Sequence, residues 1–295
     1  MQLFVREYSR HTASMLVVVS ASVWGVLWVP MRAVEAMGFP ALWVQFLFMV
    51  MPALVLAIFV GRRTLAARNQ WLVYAAAGFF MASAFTFYGL GLMVASVSKT
   101  TVLYYLTPVW STILGRLFLG ERAGAGRWIA IALALCGCSL VMEFNPLQAS
   151  FEAVDLLGLL SGVFWGAGAV ILRRYPDADF KNITFVQYVI GSILAAMAAV
   201  FLNLSFPSFD ALIQAIPITF LFSAVLFLPS VLLIFRVSQY LSPGLVGILM
   251  LSEALIAVIT SMLFIGEVLN FAQWAGVIII LAAGITVGLA KPSTS

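Results

Sequence analysis

Residues 117–121 read LFLGE, and residues 263–267 read LFIGE. A tryptophan follows the glutamate by seven positions in each copy, at Trp128 and at Trp274. Internal repeats must be identified before a fold is assigned, because a missed repeat misassigns the whole architecture. Each half would be about 140 residues long, which is far longer than a solenoid unit. The pattern therefore predicts a duplication of a domain-sized unit.

The duplication extends on both sides of these two segments. At the same offset, residues 107–108 (TP) align with residues 253–254 (EA), and residues 23–25 (VWG) align at nearly that offset with residues 164–166 (FWG). We therefore predict two repeats, residues 1–147 and residues 148–295.

Composition assigns the chain to the membrane. Sixty-four per cent of the residues are apolar, 9% are charged, and the mean hydropathy is +1.12. A soluble domain carries roughly 25% charged residues, so this inventory cannot cover a water-exposed surface. Apolar stretches of about 20 residues, the length that crosses a hydrocarbon core, recur along the sequence.

The apolar stretches predict an all-α membrane protein with ten transmembrane helices. The connections between them are short, so no additional soluble domain is expected. The predicted spans are 13–34, 39–60, 71–94, 101–119, 128–144, 155–172, 183–204, 213–235, 245–265 and 271–290.

Positive charge is distributed unevenly between the two ends of these spans. Thirteen of the fifteen lysines and arginines fall on one side, and only Arg32 and Lys99 fall on the other. The thirteen are Arg6, Arg10, Arg62, Arg63, Arg68, Arg116, Arg122, Arg127, Arg173, Arg174, Lys181, Arg236 and Lys291. Cytoplasmic loops carry the excess of positive charge, which predicts cytoplasmic termini in a multi-pass protein of the cell inner (plasma) membrane.

The repeat and the number of spans together predict an inverted architecture. Five spans is an odd number, so the second repeat must cross the membrane in the opposite sense to the first. Inverted repeats are the building plan of many secondary transporters, which bind substrate near the bilayer midplane between the halves. The sequence thus predicts two inverted five-helix repeats around a central cavity.

Glu253 is the most informative single residue. It lies about nine residues into span nine, roughly 13 Å deep at ~1.5 Å per residue. A carboxylate at that depth is costly and should face protein or a water-filled cavity. The functional interpretation is a group that responds to protons or to a cationic substrate. The alternative is a protonated glutamate that caps a discontinuous helix or pairs with a nearby cation.

Span four carries a stripe of polar side chains. Thr100, Tyr104, Thr107 and Ser111 recur at helical spacing on an otherwise apolar helix. We expect this stripe to line the aqueous side of the helix, with Tyr104, Thr107 and Ser111 as candidate substrate-binding residues. Hydrogen bonding between helices is the alternative role for the same side chains.

Tryptophans form a second candidate surface. Trp24 and Trp28 share one face of span one, and Trp165 is the repeat counterpart of Trp24. Tryptophans this deep lie outside the interfacial belt, and their rings can stack on an aromatic substrate or hold a cation. Core packing is the alternative. Further candidate polar contacts within the spans are Gln45, Tyr88 and Gln187.

Other features set limits on the chemistry. Glu121 and Glu267 each follow a glycine that ends a helix, and we expect each to open the next helix, where a carboxylate is favourable. The one histidine, His11, precedes the first span, so a Ser–His pair or a histidine metal site within the membrane is not available. The sequence lacks a GxxxxGK[ST] phosphate loop. We expect neither an enzyme nor a bound cofactor or metal.

The chain resembles the drug/metabolite transporter superfamily in its duplicated segments. These segments lie around Trp24 and Trp165, around Thr107 and Glu253, and at the two LF(L/I)GE sites. The resemblance is to its EamA-type ten-helix members and covers essentially the whole chain. The aromatic interior is most similar to YddG-type exporters of aromatic amino acids. This resemblance implies that spans one to four and six to nine surround the cavity, with spans five and ten packed outside. Members usually have a proline after the glutamate of span nine, where this chain has Ala254.

The resulting hypothesis is a secondary transporter that exports small metabolites, aromatic or amphipathic amino acids in the first instance, by alternating access. The alternatives are an exporter of organic cations or other metabolites with proton coupling, facilitation driven by the substrate gradient alone, and a channel. Expected partners are a small-molecule substrate and the lipid bilayer, with protons as a candidate coupling ion and no nucleic acid. The sequence assigns no oligomeric state.

Overall fold

The structure is a computed structural model that describes residues 8–62, 64, 68–95, 97–145, 147, 150–266 and 268–289. Arg6, Arg63, Glu267 and Lys291, which entered the sequence analysis, lie outside the described residues. Within the described part, the regular structure is entirely helical.

In the part of the chain that the structure describes, ten helical spans follow one another, as the hydropathy pattern predicted. Eight are long and apolar enough to cross a membrane, and two shorter apolar helices form spans five and ten. The spans are Arg10–Trp24 with Trp28–Glu35 (one), Ala41–Leu56 with a π-helical turn at Ala57–Gly61 (two), Trp71–Val94 (three), Val97–Tyr104 with Thr107–Leu119 (four), Ala125–Val141 (five), Leu156–Arg174 (six), Phe180–Phe201 (seven), Phe209–Thr219, π-helical Phe220–Phe227 and Leu228–Ser238 (eight), Pro243–Met250 with Ser252–Ile265 (nine), and Phe271–Leu289 (ten).

Three of these spans, one, four and nine, are interrupted near their middle, and span one breaks between Trp24 and Trp28. Span four breaks at Tyr105 and Leu106, just before Pro108, which has no N–H for the helix ladder and clashes with the preceding turn. Span nine breaks at Leu251 without any proline, and the Ala254 N–H donates to the Leu251 carbonyl in a tightened turn. The equivalent positions of the two repeats thus share the same interruption. A proline at position 254 is not required for it.

The packing of the spans has the symmetry of an inverted repeat. Span three packs on span six, and their repeat counterparts, spans eight and one, pack on each other in the same way. Likewise, span four packs on span six, and span nine packs on span one. Spans two and seven, four and nine, and five and ten pack against their own repeat counterparts. The fold is therefore two inverted five-helix units, as predicted. Spans five and ten pack chiefly against each other, which agrees with the position outside the remaining eight that the resemblance implied.

Glycines show the same symmetry at atomic detail. A Cβ added at Gly166 would lie 3.0 Å from the backbone nitrogen of Ser111, so span six directly contacts span four. A Cβ added at Gly25, the repeat counterpart, would lie 2.9 Å from the backbone nitrogen of Ala257 on span nine. Small residues let helices approach closely in lipid, where burial of apolar surface does not drive association. The two glycines thus set equivalent helix crossings in the two halves.

The inverted architecture predicts that the 4–5 and 9–10 loops lie on opposite faces of the membrane. Arg122 is exposed in the first loop, and Val268 is 88% exposed in the second. After Cys136 and Cys138 are replaced by alanine, Arg122→Cys and Val268→Cys should react with a membrane-impermeant maleimide from opposite sides of oriented vesicles. Permeabilised vesicles provide the control for reactivity. Labelling of both cysteines from one side would contradict the inverted topology.

Candidate functional site

A cavity of about 200 Å³ lies among spans one, three, four, six and nine. It occupies the half of the bundle that is distant from the arginine-rich end. Six of the ten residues predicted from the sequence to bind substrate line it: Trp24, Trp28, Tyr88, Tyr104, Trp165 and Glu253. The remaining lining residues are Gly25, Leu27, Met31, Ala84, Phe85, Leu92, Tyr105 and Ala257.

Two larger grooves, of about 270 and 500 Å³, lie on the outer surface of the bundle. Their walls are mainly apolar, and they include strongly exposed side chains such as Met15 in the first groove and Leu72 in the second. Surfaces of this kind face hydrocarbon in a membrane protein. The smaller interior cavity is therefore the better candidate for a substrate site.

Three aromatic rings meet at the deep end of the cavity. The ring of Trp24 lies 4.9 Å from that of Phe85 and 5.6 Å from that of Trp165, and the rings of Phe85 and Trp165 are 5.7 Å apart. The two contacts of Trp165 are edge-to-face, an arrangement that aromatic quadrupoles favour. The Trp24 indole N–H donates to the Ser230 hydroxyl at 2.8 Å, which ties spans one and eight together.

Further aromatic side chains form the walls. The Trp28 indole N–H donates to the Thr260 hydroxyl at 3.0 Å. The rings of Tyr88 and Tyr104 lie 4.8 Å apart, and the Tyr88 hydroxyl is hydrogen-bonded to that of Thr101 at 3.2 Å. The polar tips of both tryptophans and of Tyr88 are thus engaged with protein, so their rings are the part available to a ligand.

Glu253 reaches the cavity because span nine is interrupted. The second half of this span begins at Ser252, so Glu253 occupies its first turn, where the helix dipole favours negative charge. The Tyr105 side chain lies beside the Glu253 carboxyl and also lines the cavity. Gly25 on span one contacts the backbone carbonyl of Glu253, an approach that any Cβ would obstruct.

Two predicted site residues lie outside this cavity. Gln45 is buried, and its side-chain N–H donates to the Phe85 carbonyl at 2.9 Å. Gln187 is completely buried, with its amide nitrogen 4.0 Å from the Met49 sulfur. Neither lines the cavity. The Gln45 amide thereby links spans two and three, whereas the buried Gln187 amide oxygen has no hydrogen-bond partner among the described residues.

The polar stripe of span four is divided between the cavity and the helix contacts. Tyr104 lines the cavity, whereas Thr107 and Ser111 do not. Thr107 donates to the Tyr104 carbonyl and lies beside Gly162, and Ser111 is fully buried beneath Gly166. These two hydroxyls therefore face the glycines of span six.

A polar cluster closes the arginine-rich end. Arg173, at the end of span six, donates to the Gln239 carbonyl at 2.9 Å and lies 3.7 Å from the Glu121 carboxylate. Arg127 lies 4.0 Å from the same carboxylate, and the Gln239 amide donates to the Ala178 carbonyl at 2.7 Å. The cluster links the 4–5 loop and the ends of spans six and eight.

Burial raises the pKa of Glu121, and the neighbouring Arg127 and Arg173 guanidinium groups partly oppose this rise. The expected position at a helix N-terminus is wrong for this residue, because the next helix begins only at Ala125. Gly120 does end span four, with a positive φ of 68°. Glu121 instead forms ion pairs across the bundle end.

Sequence reasoning missed Phe85, Tyr105, Arg173 and Gln239 as parts of the site or its closure. Tyr104 and Tyr105 are adjacent, and an unbroken helix would point them in different directions. The interruption after Tyr104 brings both to the cavity. Pro108 was the available signal for this, because a proline inside a helix disrupts the preceding turn.

An interior cavity between inverted repeats, closed at one end, is the architecture of a membrane transporter. The sequence matches the EamA-like transporter family over residues 11–143 and again over residues 153–289. The chain therefore belongs to the EamA-like transporter family. The family and the related proteins named below are transporters and not enzymes, as the sequence analysis expected.

Individual relatives are distant. A riboflavin transporter of Rhizobium johnstonii is 24% identical over 149 residues, which cover 41% of this chain and 49% of that protein. An S-adenosylmethionine uptake transporter of Rickettsia bellii is 22% identical over 163 residues, 55% of either protein. The chain thus spans about half the length of the curated relatives it matches.

A solved crystal structure of a protein shares the fold. It superimposes with a TM-score of 0.74 at 15% identity, covering 95% of this chain and 99% of the other. At this identity the similarity concerns the fold alone.

The cluster at the arginine-rich end predicts that loss of Arg173 opens that end. A cysteine at Gly115 would lie beneath the cluster, with a Cβ 3.5 Å from the Glu121 carboxylate and room for the side chain. In the cysteine-free protein, Gly115→Cys should be protected from an impermeant maleimide applied from the arginine-rich side. Adding Arg173→Gln should raise the labelling rate severalfold, because it removes a charge-assisted hydrogen bond and an ion pair. Arg122→Gln, an exposed arginine near the same end, is the control, and equal rates in both variants would contradict a closing role.

Proposed function

We propose that this protein is a secondary transporter of the plasma (inner) membrane, with cytoplasmic termini, that moves small aromatic or amphipathic metabolites by alternating access. The observation that carries the proposal is the interior aromatic cavity, which contains a carboxylate and lies between inverted repeats with one end closed. The closed end favours a carrier over a channel, since an open pore would leave a continuous path.

The moving units in this proposal are the two repeats, residues 1–147 and residues 148–295. The excess of lysine and arginine at the closed end supports a cytoplasmic location for that end. The conformation described here is then closed to the cytoplasm, with the cavity in the outer half of the bundle. Rocking of one repeat against the other would expose the same cavity to the opposite side.

The aromatic substrate class follows from the lining. Trp24, Trp28, Phe85, Tyr88, Tyr104 and Trp165 provide ring surfaces around one small space. Riboflavin and S-adenosylmethionine, which appear in the names of two relatives, both contain a flat heteroaromatic ring system. Aromatic amino acids, which the YddG-type resemblance implies, share this property. Export is the direction that the resemblance favours, although one relative is named for uptake.

Conservative substitutions in the lining test this proposal. Trp24→Phe and Trp28→Phe each remove an indole N–H and part of a ring from the cavity wall, so KM for an aromatic substrate should rise about tenfold, the effect of ~1.4 kcal/mol. Trp43→Phe is the matched control, because Trp43 packs against Phe46 and Phe206 away from the cavity. Its KM should stay within about twofold.

The measurement is flux into and out of proteoliposomes with radiolabelled tryptophan, tryptamine, riboflavin and S-adenosylmethionine. Saturable flux of at least one of them supports the proposal. Absence of flux for all four would overturn the aromatic substrate class. Non-saturable flux would favour the channel alternative.

We further propose that protons are the coupling ion and that Glu253 carries them. The titratable side chains near Glu253 are Tyr88, Tyr104, Tyr105 and Cys138, so Glu253 is the one carboxyl in this group. Glu253→Gln should abolish accumulation driven by a pH gradient while downhill flux above KM persists. If a pH gradient still stimulated substrate accumulation by Glu253→Gln, Glu253 would not be the residue that carries the coupling proton.

A further inference from the structure

Glu253 is the one charged residue among those described as lining the cavity. The lysine and arginine at this end of the bundle have other contacts. Arg32 is exposed beside Glu35, with 3.9 Å between the charged groups. Lys99 lies 2.9 Å from the Asp155 carboxylate. Neither lines the cavity, so the described lining offers a negative charge without a positive one.

A carboxylate within the bundle requires compensation. Removal of a charge from water is costly unless hydrogen bonds and a counter-charge replace the lost hydration. The Tyr105 side chain lies beside the carboxyl, and the position of Glu253 in the first turn of a half-helix adds a favourable dipole. A cationic ligand would supply the missing counter-charge.

The aromatic lining is suited to the same ligand. The indole N–H groups of Trp24 and Trp28 already donate to Ser230 and Thr260, which leaves few donors for a ligand anion. Aromatic ring faces carry partial negative charge and attract ammonium and sulfonium groups. Rings and carboxylate thus favour positive charge and disfavour a ligand carboxylate, for which the described lining contains no basic partner.

The cavity also limits the size of the ligand. About 200 Å³ is below the ~300 Å³ at which sites for drug-sized ligands begin. In this conformation the space fits one compact ring system with a short side chain.

We propose that this cavity selects compact aromatic cations, in which a flat ring carries a protonated amine or another onium group, over aromatic zwitterions and anions. The inference rests on the proposed transport function and assigns the charge of the substrate. Glu253 binds the cationic group, and the rings of Trp24, Tyr88, Tyr104 and Trp165 enclose the remainder.

A matched ligand series tests the assignment. Tryptamine, tryptophan and indole-3-acetate share the indole ring and differ in charge, as cation, zwitterion and anion. Binding of radiolabelled tryptamine to the full chain in nanodiscs, with the other two as competitors, gives the order of affinity. Tryptamine should bind about tenfold or more tightly than tryptophan, and indole-3-acetate should not compete, because like charges repel.

Substitutions connect this order to Glu253. Glu253→Gln should lower tryptamine affinity about tenfold or more, since it removes the charge and keeps the shape. Glu253→Asp, which keeps the charge, should retain a preference for tryptamine over tryptophan and thus guards against an effect of misfolding. Glu35→Gln removes an acid at the same end but outside the cavity and should leave tryptamine affinity unchanged.

The outcomes separate this inference from the proposed function. Equal affinity for tryptamine and tryptophan, or unchanged tryptamine binding in Glu253→Gln, would overturn the charge assignment. Saturable flux of an aromatic substrate would still support the transport function in that case. Tight binding of indole-3-acetate would overturn it as well. Absence of binding by all three ligands would overturn the assignment, and only the flux measurement would then bear on transport itself.

Discussion

Every backbone N–H and C=O group within the hydrocarbon must find a partner inside the protein, and this constraint determines where the site lies. A helix can be interrupted at membrane depth only where other helices or a cavity satisfy the released groups. Span one is interrupted after Trp24, span four after Tyr104 and span nine at Leu251. All three interruptions border the cavity, through Gly25, Tyr105 and Glu253 respectively. The departures from regular helix therefore build the candidate site, and the regular helices surround it.

The duplication gives the two repeats equivalent backbones, but the side chains at equivalent positions differ in their chemistry. Thr107 and Glu253 occupy equivalent positions at the start of the second half of spans four and nine. The Thr107 hydroxyl bonds back to the Tyr104 carbonyl beside Gly162, whereas the Glu253 carboxyl lines the cavity. One repeat uses the position for packing and the other uses it for charge. The described lining of the cavity therefore has a single carboxyl group, which span nine contributes.

The sequence predicted the architecture well, because duplication and hydropathy are visible without side-chain contacts. The aromatic part of the site was also predictable, since Trp24 and Trp165 are repeat counterparts at a depth where tryptophan is unusual. The sequence did not indicate that Gln45, Thr107, Ser111 and Gln187 lie outside this cavity. A polar side chain in a span can hydrogen-bond either to a neighbouring helix or to a ligand. The rotation of the helix about its own axis determines which of the two it meets. The break at Leu251, which occurs without a proline, gave no local signal.

The same repeat that relates Trp24 to Trp165 relates Arg32 to Arg173, because both arginines follow their tryptophan by eight positions. Arg173 is engaged with Glu121 and Gln239 at the closed end. Arg32, with its side chain 76% exposed, lies at the opposite end beside Glu35. Two equivalent residues thus occupy different environments in one conformation. Alternating access by inverted repeats requires such a difference, since the closed contacts of one half correspond to the open contacts of the other. In the proposed alternating access, an exchange of the two environments would open the arginine-rich end and close the opposite end without any new kind of interaction.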